Sequence, residues 1–162
     1  MFCKSLSESR SHTIWKNSTI TPIFKSGDRR DIKNYCPITI INSIPALLDD
    51  IIAKKLVSLC LDKISSFQHG FVTGRSTTSN LYLHIHNIVK AISKNFQYDS
   101  IYTDFKKAFD LVNHKILIQK LIDLRIPVPI ISWLSDYLSE RLTSIKIHNN
   151  LSEPFKVPCG VP

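Results

Sequence analysis

No CxxC pair occurs anywhere in the chain, whose four cysteines stand at positions 3, 36, 60 and 159. That spacing offers neither a disulfide framework nor a zinc site, so the expectation is reduced intracellular thiols with no disulfide partner. The six histidines are equally scattered, and His84 and His86 fall two apart on an expected helix, so they diverge rather than share a metal. Apolar runs such as Ile40-Ile41, or Val128 to Leu134 with its internal proline, are too short or too interrupted to span a bilayer. No membrane partner is expected. The N-terminal Met-Phe-Cys-Lys-Ser-Leu-Ser-Glu lacks the apolar stretch of a secretory leader. Internal repeats and low-complexity tracts are absent. Lys106-Lys107 is too short for a nuclear-localisation cluster, which leaves nucleus and cytoplasm both open.

What is present suits a folded domain. With 162 residues, 43% of them apolar and 21% charged, the chain has the make-up of one medium domain, or of two small lobes sharing a core. The net charge is +8, and residues 1–36 hold seven basic residues against three acidic ones. Such a bias fits a polyanion, nucleic acid or nucleotide phosphate, although many basic domains are merely soluble.

Residues 1–20 show no strong period and read as a loosely held strand or loop. Pro22-Ile-Phe-Lys-Ser-Gly-Asp-Arg-Arg-Asp reads as a short strand running into a basic turn, and Tyr35-Cys-Pro-Ile-Thr-Ile-Ile as a second extended piece. Ser43 is placed to cap a helix with apolar residues at 44, 47, 48, 51, 52, 56, 59 and 60. After a polar, glycine-bearing loop over 65–77, a second helix carries apolar residues at 81, 85, 88, 89, 92 and 96. Ser100-Ile-Tyr-Thr-Asp-Phe reads as a buried strand. Asn113 caps a third helix with Ile116, Leu117, Leu121 and Leu124 inward, and Pro129 opens a fourth with a stripe at 130, 131, 134, 137 and 138. Trp133 and Tyr137 read as core aromatics. Two final strands flank an expected turn at Asn149-Asn150. Irregularly alternating helices and strands predict an α/β or α+β fold.

The chemistry gathers at Tyr102-Thr-Asp-Phe-Lys-Lys-Ala-Phe-Asp-Leu-Val-Asn-His114. Asp104 closes the expected strand, where a carboxylate can face a site at a sheet's end. Nucleotide-joining enzymes need carboxylates there, because hard Mg²⁺ ions take oxygen ligands and bridge the reacting phosphates. A strand-end Asp taken alone is more often turn-forming or capping. The string Asp-Phe-x-Lys-Ala-Phe-Asp followed by Val-x-His resembles the first catalytic block of the reverse transcriptases of non-LTR (LINE-type, Jockey-like) retrotransposons. The resemblance implies that Asp104 is the catalytic, metal-binding aspartate. It likewise makes Phe109 the ring beneath the incoming sugar that excludes a 2′-hydroxyl by volume, and Asp110 a structural cap.

Four further blocks in order extend the resemblance over residues 20–162. Pro22-Ile-Phe-Lys-Ser-Gly-Asp and Asn34-Tyr-Cys-Pro-Ile-Thr resemble the two blocks of the fingers, and Lys25 matches the lysine that holds nucleotide phosphate. Cys36 stands where the family usually has arginine, whose planar fork binds phosphate with two bonds. Gln68-His-Gly-Phe-Val-Thr-Gly-Arg-Ser resembles the template-contacting block, implying nucleic-acid contacts by Gln68, Gly70, Phe71, Gly74, Arg75 and Ser76. Val72 replaces a second usual arginine there. Trp133-Leu-Ser-Asp-Tyr-Leu-Ser-Glu-Arg and Val157-Pro-Cys-Gly-Val-Pro162 resemble the helix and loop that lead into Gly-Val-Pro-Gln-Gly-Ser.

By this resemblance the chain is the N-terminal fragment of an RNA-directed DNA polymerase with right-hand architecture. Residues 1–95 would be the fingers-like part, and 96–162 the first part of the palm, truncated before the second catalytic carboxylates. The parent would use an RNA template, a DNA primer, deoxynucleoside triphosphates and Mg²⁺, while this chain alone would be inactive. Cys36, Val72 and the missing carboxylates fit an alternative, a non-catalytic nucleic-acid-binding remnant or decayed retroelement product. A metal-dependent nuclease has little support, since no second acidic cluster accompanies Asp104.

Overall fold

In the computed structural model, which describes residues 2–162, the mixed α/β class expected from the sequence is what forms. The helices are α1 (Phe2–Ser7), α2 (Ser43–Cys60), α3 (Thr77–Ser93), α4 (His114–Asp123) and α5 (Val128–Leu138). The strands are β1 (Asn17–Phe24), β2 (Tyr35–Ile41), β3 (Leu142–Ile147), β4 (Asn150–Leu151) and β5 (Phe155–Lys156). Residues 2–59 and Lys107–Pro162 make one compact unit, and Cys60–Lys106 another. No helix among the described residues is long and apolar enough to cross a membrane.

The first unit is built on a sheet of order β2-β1-β3-β4, with β5 also on β3. Strands β1 and β2 form an antiparallel hairpin in which Ile23 faces Cys36 and Pro22 faces Pro37. The Lys25 N–H donates to the Asn34 carbonyl, and alternation along the ladder makes Pro22 and Pro37 a non-hydrogen-bonded pair. That is where two residues without an N–H can sit opposite each other. Strand β3 runs parallel to β1 only from Asn17 to Ile20, so Pro22 lies beyond that ladder too. The buried hydroxyls of Ser18 and Thr143, side by side on these strands, satisfy each other at 2.8 Å.

Strand alternation sorts the sheet into two faces. Ser18, Ile20, Pro37, Thr39, Thr143 and Phe155 share one. Thr21, Ile23, Cys36, Ile38 and Ile40 share the other, on which Ile23, Ile38 and Ile40 are exposed.

The core joins Trp15, Leu48, Ile52, Trp133 and Tyr137, with Phe2, Leu6, Leu56, Ile130 and Leu134 packed against it. Helix α5 supplies its centre. Pro129 occupies the first turn, where a missing N–H costs nothing, and Trp133, 1% exposed, stacks on Tyr137 at 5.0 Å. Truncating a buried aromatic of this kind typically costs about 3–5 kcal/mol.

Several expectations are corrected here. Met1 lies outside the described residues, but residues 2–20 are not loosely held. Phe2, Leu6 and Trp15 enter the core, the Trp133 Nε1 donates to Ser5 Oγ at 2.9 Å, and Ser11 and Lys16 grip Asp136 of α5. These anchors are long-range and leave no period in the sequence. Helix α2 begins at Ser43 itself, the Asn42 carbonyl accepting from the Ala46 N–H, and only Pro45, Leu48 and Ile52 of α2 are buried. Asn113 caps α4 as expected, its Oδ1 accepting from Ile116 N–H, but Ile116 itself faces solvent. The turn between β3 and β4 centres on His148 and Asn149, with His148 at φ 55°.

In the second unit α3 forms as expected, opened by a reciprocal capping box between Ser76 and Ser79. Its stripe at Leu81, Ile85, Val89 and Ile92 is exposed, as is Phe96 beyond it. The expected buried strand over 100–105 does not form: Ile101, Tyr102 and Phe105 are 90%, 82% and 85% exposed. Among the described residues no strand pairs with this segment, and an unpaired strand has no ladder to hold it.

Candidate active site

The tip of the β1–β2 hairpin is a braced basic loop. Gly27 takes φ +93°, and a Cβ there would stand 2.7 Å from Asn34 Nδ2, so the turn requires glycine. Asp28 Oδ1 accepts from the Arg30 N–H, Asn34 Nδ2 donates to the Asp28 carbonyl, and Tyr35 Oη donates to the Arg29 carbonyl. The Arg29 guanidinium lies 4.6 Å from the centre of the Phe24 ring. Lys25, Arg29, Arg30 and Lys33 are all exposed on this loop.

In the same unit, residues 107–112 form a tight turn with Lys107 at φ 52° and its carbonyl accepting from the Leu111 N–H at 3.1 Å. The 157–161 loop clasps this turn. Gly160 N–H donates to the Val112 carbonyl at 2.9 Å, Val161 N–H to the Phe109 carbonyl at 3.0 Å, and Cys159 Sγ to the Asp110 carbonyl at 3.4 Å. The Gly160 carbonyl itself accepts twice, from His114 Nε2 at 2.7 Å and from Arg141 Nη1 at 3.2 Å. Gly160 holds φ +81°, and a Cβ on it would meet the Asp110 carbonyl oxygen at 2.7 Å.

Between turn, loop and sheet lies a recess of about 200 Å³, bordered by Ile20, Thr39, Asp110, Arg141, Thr143 and Gly160 among others. Arg141 is buried. Burial pushes its guanidinium below the usual value, and the Tyr137 and Asp49 side chains only partly offset this. Burial likewise raises the Asp49 carboxyl, against the hydrogen bond from Tyr137 Oη at 3.0 Å and the charge of Arg141. The Tyr137 hydroxyl is pushed well up by burial, then by Asp49.

The recess lies on the Ser18–Ile20–Thr39–Thr143 face. Cys36 belongs to the opposite face, and neither Cys36 nor Lys25 lines the recess.

In the second unit the residues singled out between 68 and 76 form one loop. Arg75 Nη1 donates to the carbonyls of Ser65, Ser66 and Gln68, while Gln68 Nε2 donates to the Gly70 carbonyl. Arg75 therefore shapes the loop with one nitrogen, leaving the rest of its fork for other partners. Phe71 stands exposed at φ 61°, and nothing lies within 4 Å of where a Cβ on Gly74 would be. Ser76 is committed to capping α3. Asp104 lies in the irregular segment of this unit. Among the described residues no group of three His, Cys, Asp or Glu side chains gathers within reach of one metal ion.

Neither the burial of Arg141 nor the meeting of His114 with Gly160 is expected from the sequence. All three stand inside strings that resemble the family, Arg141 as the last residue of Trp133-Leu-Ser-Asp-Tyr-Leu-Ser-Glu-Arg, but nothing local marks them as partners, because their meeting is decided by segments distant in sequence.

A model of the reverse transcriptase (RNA-dependent DNA polymerase) family matches residues 23–162. Among curated proteins, the chain is 29% identical over 151 residues to the probable RNA-directed DNA polymerase from transposon BS of Drosophila melanogaster. It is 30% identical over 151 residues to that from transposon X-element of the same fly, and 29% over 135 residues to the retrovirus-related Pol polyprotein from type-1 retrotransposable element R2 of Popillia japonica. These alignments cover 91%, 91% and 83% of this chain but only 17%, 16% and 19% of the relatives. The chain belongs to the reverse transcriptase family, and the resemblance to the non-LTR transposon enzymes holds.

Proposed function

We propose that the chain forms the fingers-like part (1–95) and the first part of the palm (96–162) of an RNA-directed DNA polymerase. The observation that carries this is the family match over 23–162 with the Asp104–Asp110 block inside it. In the parent reaction a primer 3′-hydroxyl attacks the α-phosphate of a deoxynucleotide paired to an RNA template, and pyrophosphate leaves. Bound Mg²⁺ would supply charge neutralisation at the phosphates, with Asp104 one of its ligands. Phe109 excludes a ribose 2′-hydroxyl, Lys25 holds phosphate, and the 68–76 loop lies along the template.

The chain spans less than a fifth of the curated relatives it matches, and Asp104 is its only candidate metal carboxylate. It is therefore expected to give no extension of a primed RNA with Mg²⁺ and deoxynucleotides. Residues 23–162 grafted in place of the matching segment of the X-element polymerase should extend the primer, and Asp104→Ala in the graft should abolish this. Template-dependent extension by the 162-residue chain, lost in its own Asp104→Ala variant, would sink the reading of a partial site. A graft insensitive to Asp104→Ala would sink the assignment of Asp104. The second reading, a nucleic-acid-binding remnant, is favoured by Cys36 and Val72 at usually basic positions.

A further inference from the structure

The turn that carries Phe109 is not held by its own strand, since residues 100–105 are irregular. The 157–161 loop bonds to this turn at the Phe109, Asp110 and Val112 carbonyls, and within the loop the Gly160 carbonyl oxygen accepts from both His114 and Arg141. We infer that His114 and Arg141 are positioning residues for nucleotide selection. By donating together to the Gly160 carbonyl they hold the loop on the Phe109–Val112 turn and so fix where the Phe109 ring stands. The inference rests on the proposed role of Phe109.

The geometry leaves little slack. A carbonyl only accepts, so His114 Nε2 carries the proton in this contact, and it reaches the oxygen at 2.7 Å from the first residue of α4. Asn113 caps that helix, which fixes the base of the histidine. Arg141 approaches the same oxygen from the residue just before β3, and its own carbonyl accepts from the Val157 N–H at 3.1 Å, so Arg141 holds the loop by both side chain and backbone. Gly160 faces the Asp110 backbone closely enough that even a Cβ on it would stand 2.7 Å from the Asp110 carbonyl oxygen. With both donors in place the Val161 N–H is presented to the Phe109 carbonyl. Loss of a donor loosens the loop's hold on the Phe109–Val112 turn.

Amide hydrogen exchange on the whole 162-residue chain tests the clasp without reference to catalysis. His114→Phe, which keeps a ring but removes the donor, should speed exchange at Gly160 and Val161 by about tenfold. His114→Gln, whose Nε2 reaches a similar position, should restore protection. Unchanged exchange in His114→Phe overturns the clasp. The functional arm uses the X-element graft, read as discrimination between deoxy- and ribonucleotides. His114→Phe and Arg141→Met should raise the deoxynucleotide KM and reduce discrimination severalfold with kcat little changed, and His114→Gln should behave as the unaltered graft. Phe109→Val distinguishes the two failures. If it leaves discrimination unchanged, the role of Phe109 fails and the inference with it. If it relaxes discrimination while His114→Phe does not, the role of Phe109 stands and the inference alone is overturned.

Discussion

Gly160 shows how much one missing Cβ can decide. Its φ of +81° places it in the left-handed region, and its position against the Asp110 backbone leaves no volume for a methyl group. Both penalties fall on backbone, which cannot move aside as a flexible side chain would. Gly160→Ala should therefore destabilise the chain by at least about 1 kcal/mol, read from chemical denaturation. Gly74→Ala makes the comparison useful. It shares the positive φ, at +80°, but has open space around it, so its cost should be the smaller of the two. Equal costs would mean that the Asp110 contact contributes nothing.

Among the elements, the N-terminal segment depends most on partners far away in the chain. Asp136 of α5 accepts from the Ser11 N–H at 2.8 Å and the Ser11 hydroxyl at 2.6 Å, and pairs with Lys16 at 3.2 Å. Burial acts to raise its carboxyl, but the bonds from Ser11 and then Lys16 outweigh it and hold the carboxyl below its ordinary value of 3.8. A carboxyl lowered in the folded state stabilises the fold above the unfolded value, and that contribution fades as pH falls through the folded one. Asp136→Asn should thus cost about 1–2 kcal/mol at neutral pH, with the difference from the unaltered chain shrinking well below pH 4. Thermal melts of both proteins across that range check it. A difference that stays constant with pH would show that the ionised form is not what holds the segment.

At the scale of the whole molecule, a net charge of +8 and an exposed basic loop at Lys25, Arg29, Arg30 and Lys33 set the expectation for nucleic acid. Phosphate contacts release counterions, so affinity falls with salt in proportion to their number. With about three contacts, binding to single-stranded RNA or DNA should weaken by on the order of tenfold or more between about 50 and about 200 mM salt, without sequence preference. Replacing Arg29, Arg30 and Lys33 by alanine should flatten that slope. Fluorescence anisotropy against salt measures both, and affinity independent of salt would remove the basis for phosphate contact by this loop.

The sequence by itself determined whatever rests on neighbours in the chain. The β1–β2 hairpin, the Asn113 cap, the proline start of α5 and the core placing of Trp133 and Tyr137 all follow from spacings of a few residues. The family likewise lay in ordered short motifs, which survive in the letters whatever the backbone does. The tertiary structure alone decided what depends on distant partners. Residues 2–16 became anchored because Ser5, Ser11 and Trp15 meet α5, more than a hundred residues away in the chain. The segment around Asp104 stayed irregular because an extended run of apolar residues becomes a strand only when another strand pairs with it. Arg141 became part of the site because the sheet carries it beneath a glycine nineteen residues on, a meeting set by strand order and register that no local period encodes.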